Sequence, residues 1–153
     1  MFNQNKIDAI LTSYPRVRPP LTSEHEKLYV REYKNNREGG RKVDSLAQRL
    51  ETWMHRQIIT CKSSDLLELG AGTLNHIRHE DQNKIYDIVE PFAELYQNSS
   101  RLDQVRDIYS SLEEISQDKI YSRIVSIATL EHMTNLPREI ALSATHMENN
   151  SIF

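Results

Sequence analysis

Two short segments carry the residues whose types and spacing suit the binding of a nucleotide-like ligand. Residues 65–69 form an apolar run, Asp-Leu-Leu-Glu-Leu, that leads into Gly70-Ala71-Gly72. Glycines at the end of a buried strand let the backbone turn tightly and approach a ligand. Glu90 ends the next apolar run, twenty residues after Gly70, where a carboxylate can accept hydrogen bonds from both ribose hydroxyls. Together they predict an adenosine-type ligand across the carboxyl ends of two neighbouring strands.

Two kinds of adenosine cofactor compete for such a site. The dinucleotide fingerprint G-x-G-x-x-G needs its third glycine for close helix packing around a pyrophosphate. Asn75 stands at the position of that third glycine, and Glu68 stands two residues before the turn. About sixty residues also precede the first predicted strand. These features disfavour a nicotinamide-dependent oxidoreductase, which stays as an alternative from a different class.

The glycine turn resembles motif I of the class I S-adenosylmethionine-dependent methyltransferases, which favours an acidic residue at the position of Glu68. Leu74 replaces the third glycine of the family's G-x-G-x-G. Residues 85–91 resemble the family's second strand with its ribose-binding acid, and residues 121–132 resemble its fourth strand. Ser122 stands where that fourth-strand pattern has Asp. The three motifs occur in the family's order over residues 65–147.

The resemblance implies S-adenosyl-L-methionine as the cofactor and assigns residues to it. Glu90 would hold the ribose, and His132 would mark the substrate side as the candidate catalytic residue. Arg31, Arg37, Tyr29 and Tyr33 are candidates to cover the site from the N-terminal segment. The full set of expected cofactor contacts runs from the methionine end to the adenine and then beneath the methyl group: Glu68, Gly70, Ala71, Gly72, Glu90, Pro91, Phe92, Ser111, Leu112, Ala128, Thr129 and Leu130.

No metal site is predicted. His76 and His79 lie three residues apart, but further ligands at suitable spacing are missing, and both are expected on the surface of a helix. A sulfonium cofactor already carries its leaving group, so methyl transfer needs alignment and exclusion of water rather than a metal or a covalent nucleophile.

The elements that must position these residues fall into two parts. Residues 1–60 are expected to form a helical segment that covers the cofactor site. Ser23 and Glu26 suggest a capping box for a helix over 24–36, and apolar spacing from Val43 to Ile58 predicts a second helix with Trp53 as its core anchor. Residues 61–153 alternate strands with helices, which predicts a Rossmann-like, doubly wound parallel α/β sheet.

The chain is expected to end before this fold is complete, after about four of the family's seven strands. Residues 151–153 begin a fifth strand at most, so the apolar fourth strand would be an exposed edge and promote self-association. The predicted function is methyl transfer to a small-molecule, sugar or lipid-linked acceptor, with the truncated chain's own activity in question. The alternatives are a non-catalytic cofactor-binding remnant and one half of a split methyltransferase.

Composition bounds the remaining possibilities. The chain has 153 residues, 38% hydrophobic and 27% charged, with Cys61 as its one cysteine. These values, with no secretory signal and no membrane-length apolar run, predict a cytoplasmic protein. Residues 16–42 hold eight Lys/Arg against four Asp/Glu, which suits an anionic acceptor or simply a solvated face. Basic residues are not interleaved with aromatics, so nucleic-acid binding is not predicted.

Overall fold

The computed structural model describes residues 19–38, 44–59, 65–81 and 84–153, together with positions 5, 8, 9 and 12. The first described helix, α1 (Ser23–Glu38), confirms the helix predicted over 24–36. Its cap lies one residue earlier than predicted: the Thr22 hydroxyl accepts a hydrogen bond from the His25 backbone at 3.4 Å, and the Thr22 carbonyl accepts one from Glu26. The side-chain cap satisfies an N–H group that has no partner within the helix.

The second helix, α2 (Asp44–Ile58), is confirmed, but its predicted core anchor is wrong. Trp53 is 58% exposed, whereas His55, two positions further on, is buried. Helical periodicity identifies an apolar stripe, but the part of the helix that meets the core depends on tertiary packing. Here the contact is made by the last turn of α2, where the Ile58 carbonyl accepts a hydrogen bond from Arg123 Nη1 at 3.0 Å.

A five-stranded parallel sheet forms the centre of the molecule, in the order β3-β2-β1-β4-β5. Its strands are β1 (Asp65–Leu69), β2 (Ile85–Val89), β3 (Ile108–Tyr109), β4 (Tyr121–Ser126) and β5 (Met147–Ile152). Between β2 and β3 lies the short helix α3 (Ala93–Tyr96), and between β4 and β5 lies α4 (Leu136–Thr145), capped by the Asn135 side chain. The predicted parallel α/β sheet is confirmed.

Apolar residues of β1 alternate between two cores, one on each face of the sheet. Leu66 packs with Tyr86, Ile88 and Val125 on one face. Leu67 packs on the opposite face, with Tyr121, Ile124 and Leu112 among others. Burial on both faces is the usual condition of a central parallel strand and explains the nearly continuous apolar run. Within the described ranges, no helix is long and apolar enough to cross a membrane.

The last strand overturns the expectation of an exposed fourth strand. β5 pairs with β4, so β4 lies inside the sheet; the prediction of an exposed edge is wrong, and self-association through it loses its structural basis. The helix α4 ends at Thr145, and the His146 carbonyl then accepts a hydrogen bond from Tyr121 N at 2.8 Å. The strand was missed because its sequence, Met-Glu-Asn-Asn-Ser-Ile, is mostly polar and has little strand propensity. The third strand, β3, is also short, with only Ile108 and Tyr109.

Candidate functional site

The glycine turn follows β1 and depends on left-handed backbone conformations. Gly70 has φ +72° and Gly72 has φ +52°. A Cβ atom on Gly70 would lie 2.1 Å from Thr129 Cγ2, so the protein's own packing already requires glycine there. Leu74 also adopts a positive φ, of +59°, with its side chain in the core. The residue that replaces the third glycine therefore keeps a glycine-like conformation, held by burial.

Glu90 joins the ends of β1 and β2. Its side chain is buried, and its two carboxylate oxygens accept hydrogen bonds from Gly72 N at 2.8 Å and Phe92 N at 3.0 Å. Burial raises the pKa of Glu90, while these two N–H donors act to lower it. The carboxylate therefore has a fixed orientation at the carboxyl edge of the sheet, directly beside the glycine turn.

Glu68 is a buried carboxyl group near the end of β1, two residues before the glycine turn. Burial raises its pKa from 4.5 to about 7, against the lowering effect of the Tyr86 hydroxyl. That hydroxyl donates a hydrogen bond to Glu68 Oε2 at 2.5 Å. The nearby carboxyl groups of Glu90 and Glu80 raise the pKa further. Near neutral pH this group can therefore change its protonation state when a cationic group approaches.

A cavity of about 140 Å³ lies at the carboxyl ends of β1 and β4. The chain adds β2 and β3 on one side of β1 and then β4 and β5 on the other, so the strand order reverses at this position. Ligands of open α/β sheets usually lie at such a point. The cavity brings together four of the predicted cofactor contacts with residues of both N-terminal helices. It is lined by Tyr33, Met54, His55, Glu68, Gly70, Ala71, Asn75, His76, Ile127 and Ala128.

Aromatic side chains of α1 lie over this edge of the sheet. The ring of Tyr29 is 5.4 Å from that of Phe92 and 6.2 Å from that of His132. The Tyr33 hydroxyl lies 2.3 Å from the place that a Cβ atom on Gly72 would take. Two of the four candidate cover residues therefore stand at the site. Arg31 instead is exposed and pairs with Glu32, and the Arg37 side chain lies outside the described residues.

The other predicted contacts occupy the surrounding loops. The Thr129 hydroxyl lies 3.3 Å from the Gly70 carbonyl oxygen and thereby ties the segment after β4 to the turn. Leu130 begins a short 3-10 turn, Leu130–His132, and His132 is exposed. Pro91 is exposed and Ser111 is half-buried. The Leu112 side chain packs in the core with Leu67 and Leu69, so only its backbone is available to a ligand.

A buried polar cluster of His55, His76, Glu80 and Arg123 lies beside the cavity, and it was not predicted from the sequence. His76 was predicted on the surface of a helix but is fully buried, and this prediction is wrong. Its Nδ1 lies 3.1 Å from His55 Nδ1, and its Nε2 lies 2.9 Å from Glu80 Oε1. Burial lowers the pKa of His76. The four-residue spacing of His76 and Glu80, with a charged Arg123 inside an apolar strand, was the available signal, since a buried charge requires a partner.

Glu80 is the anionic centre of this cluster. Arg123 and Lys84 both pair with it, the latter at 2.9 Å. Burial would raise the pKa of Glu80, but the His76, Lys84 and Arg123 contacts together lower it to about 2. His79 stacks on His55, and burial followed by nearby cationic groups lowers its pKa to about 4. Within the part of the chain that the structure describes, His, Cys, Asp and Glu form no group suited to a metal ion.

Comparison with known proteins shows the fold. No protein-family model matches the chain, and no curated protein sequence matches it significantly. Among solved structures, it is similar to the plantazolicin methyltransferase BpumL in complex with SAH, with a TM-score of 0.57 and 17% identity over 95% of this chain. The same enzyme in complex with SAH and a monoazolic desmethylPZN analog gives a TM-score of 0.56 and 16% identity over 95% of this chain.

The match covers 58% of the BpumL chain in both structures. The chain therefore has part of a class I methyltransferase fold, as the sequence motifs predicted, and spans a little over half the length of these structures.

Proposed function

We propose that this chain is the cofactor-binding part of an S-adenosylmethionine-dependent methyltransferase. The observation that carries the proposal is the contact between Glu90 and Gly72, which places a buried carboxylate and the glycine turn side by side at the carboxyl edge of the sheet. The fold shared with the methyltransferase BpumL, crystallised with SAH, supports the same cofactor class.

The residues present fit such a cofactor. A carboxylate has about four lone-pair sites, and the two N–H donors on Glu90 leave others for the hydroxyls of a ribose. In this proposal the Glu68 carboxylate accepts a hydrogen bond from the ammonium group of the cofactor's methionine part. The glycine turn lies along the same part, and Phe92 lies beside the adenine. Pro91, Ser111 and the Leu112 backbone complete the adenine side, with Ala128, Thr129 and Leu130 beneath the methyl group.

The bound cofactor supplies an electrophilic methyl group with its leaving group attached. The chain's own contribution is to bind, orient and exclude water, with residues 61–153 as the binding domain and residues 1–60 as its cover. Tyr29 contacts both Phe92 and His132 and so joins the cofactor side to the acceptor side. His132 is the candidate to accept a proton from the acceptor, which we propose is a small molecule, a sugar or a lipid-linked glycan.

Calorimetry with S-adenosylhomocysteine tests the proposal directly. We expect binding by the wild-type chain, and weaker binding by about 1.5–3 kcal/mol in Glu90→Ala, because hydrogen bonds to a charged group are lost. Glu94→Ala, an exposed carboxylate four residues further on, is the matched control and should bind like wild type. Circular dichroism checks that each variant is folded. Tighter binding of NADH than of S-adenosylhomocysteine would overturn the cofactor assignment, and equal affinities of wild type and Glu90→Ala would remove the ribose role.

A further inference from the structure

The contact that the described part of α2 makes with the sheet includes both a polar group, His55, and an apolar one, Ile58, which packs partly buried against the core. Among the α2 side chains that the structure describes, only His55 is buried, while Leu50 and Trp53 are exposed. The His55 ring stacks against two other imidazoles, with centroid distances of 5.2 Å to His76 and 5.4 Å to His79. His55 is the most buried of the described α2 side chains, so this imidazole contact, together with the Arg123 hydrogen bond to the Ile58 carbonyl, helps to fix where the helix lies.

The cluster also dictates which hydrogen bonds the imidazoles can make. Glu80 Oε1 lies 2.9 Å from His76 Nε2, and this carboxylate, whose pKa is lowered, favours the tautomer with the proton on that nitrogen. Neutral His76 then has a lone pair on Nδ1, since a neutral imidazole has one donor and one acceptor nitrogen. In that tautomer the His55 Nδ1 atom, 3.1 Å away, is the donor. A chain of contacts from Glu80 through His76 to His55 thus fixes the orientation of the His55 ring.

The same histidines form one wall of the cavity. Met54 and His55 of α2 face Glu68, Gly70 and Ala71 across a space of about 140 Å³. A site for a whole ligand measures about 300–1,000 Å³, so this cavity suits only one end of a cofactor. Glu68 supplies the carboxylate that an ammonium group requires, which favours the amino-acid end rather than the adenosine.

We propose that His55 is a positioning residue, which acts through His76 and Glu80 to hold α2 as the wall of the subsite for the amino-acid end of the cofactor. The inference rests on the proposed function and extends it to a residue of the covering helix. In this proposal His55 holds the wall in place, and its neighbour Met54, which also lines the cavity, is thereby held in place as well. Loss of the Nδ1 contact loosens this part of α2, although the Arg123 hydrogen bond to the Ile58 carbonyl remains, and weakens recognition of the amino-acid end alone.

Two ligands that differ only at that end provide the test. S-adenosylhomocysteine has the amino-acid end, whereas 5′-methylthioadenosine keeps the adenosine and the sulfur without it. We expect His55→Ala to weaken S-adenosylhomocysteine binding about tenfold, the order of one lost hydrogen-bonded contact, and to leave methylthioadenosine affinity unchanged. His55→Asn should restore most of the loss, because its amide N–H stands at the place of the Nδ1–H. His25→Ala, an exposed histidine of α1, is the matched control.

The outcomes separate this inference from the proposed function. Failure of the wild-type chain to bind S-adenosylhomocysteine overturns both. Normal wild-type binding, with His55→Ala affecting both ligands equally or neither, overturns the positioning role alone. If circular dichroism shows that His55→Ala is unfolded, His55→Asn is compared with His55→Gln, whose amide stands at the place of Nε2 instead. Asn should then keep the preference for S-adenosylhomocysteine and Gln should lose it; equal behaviour of the two refutes the Nδ1 contact.

Discussion

Replacement of Glu68 by Gln should make the protein more stable at pH 8. Burial raises the pKa of this carboxyl group from 4.5 to about 7, so the folded protein holds the proton more tightly than the unfolded chain does. At about 1.4 kcal/mol per pH unit, this difference corresponds to about 3 kcal/mol. The stability that the bound proton contributes is complete below pH 4.5 and is lost as the pH rises to about 7. Wild type therefore carries the full cost of an ionised buried group at pH 8.

Urea denaturation of Glu68→Gln and wild type at pH 5 and pH 8 measures this cost. The Gln side chain does not ionise, and its amide oxygen can still accept the Tyr86 hydrogen bond. We expect the variant to gain about 2–3 kcal/mol over wild type between the two pH values, from the linkage above. Glu148→Gln, an exposed carboxylate on β5, should show no such gain. An equal difference between Glu68→Gln and wild type at both pH values would refute the raised pKa.

Two further predictions concern the glycine turn and the buried ion pair. Gly70→Ala should destabilise the fold by at least ~2 kcal/mol in urea denaturation, because of positive-φ strain and the clash with Thr129. The double variant with Thr129→Ala should recover part of this stability. If it recovers none, the clash is ruled out. Arg123→Met should cost about 3–5 kcal/mol because Glu80 is left buried with too few partners. The double variant with Glu80→Gln should be less destabilised than Arg123→Met alone, and a single-variant loss under ~1 kcal/mol would contradict the pairing.

The turn and its acidic partner were predictable because both depend on local requirements. Gly70 and Gly72 adopt backbone conformations that other residues reach only with strain, so their position after an apolar run is informative. Glu90 follows at a spacing set by one strand, one connection and a second strand, and β1 and β2 pair in the expected parallel register. Backbone geometry of this kind is determined by a short stretch of sequence.

The polar cluster and the last strand were missed because they depend on distant partners. Nothing next to His76 in the sequence shows that Arg123 and His55 will meet it, and an isolated histidine is usually solvated. Trp53 belongs to an apolar stripe, yet only the docking of α2 decides which positions are covered. β5 is paired because β4 offers it an edge, whatever its own weak propensity.

The central place of β1 also sets an order of events in folding. Its pairing with β2 joins residues twenty apart, such as Leu66 and Tyr86, whereas its pairing with β4 joins Leu66 to Arg123, 57 residues further along the chain. Closing the longer loop costs more chain entropy, and distant parallel pairing is correspondingly slow. The Gly70 turn gains its Thr129 contact only after β4 has docked. The edge that carries the proposed cofactor site is therefore completed by the later of the two strand pairings, and a chain emerging from the ribosome has its glycine turn well before this edge is complete.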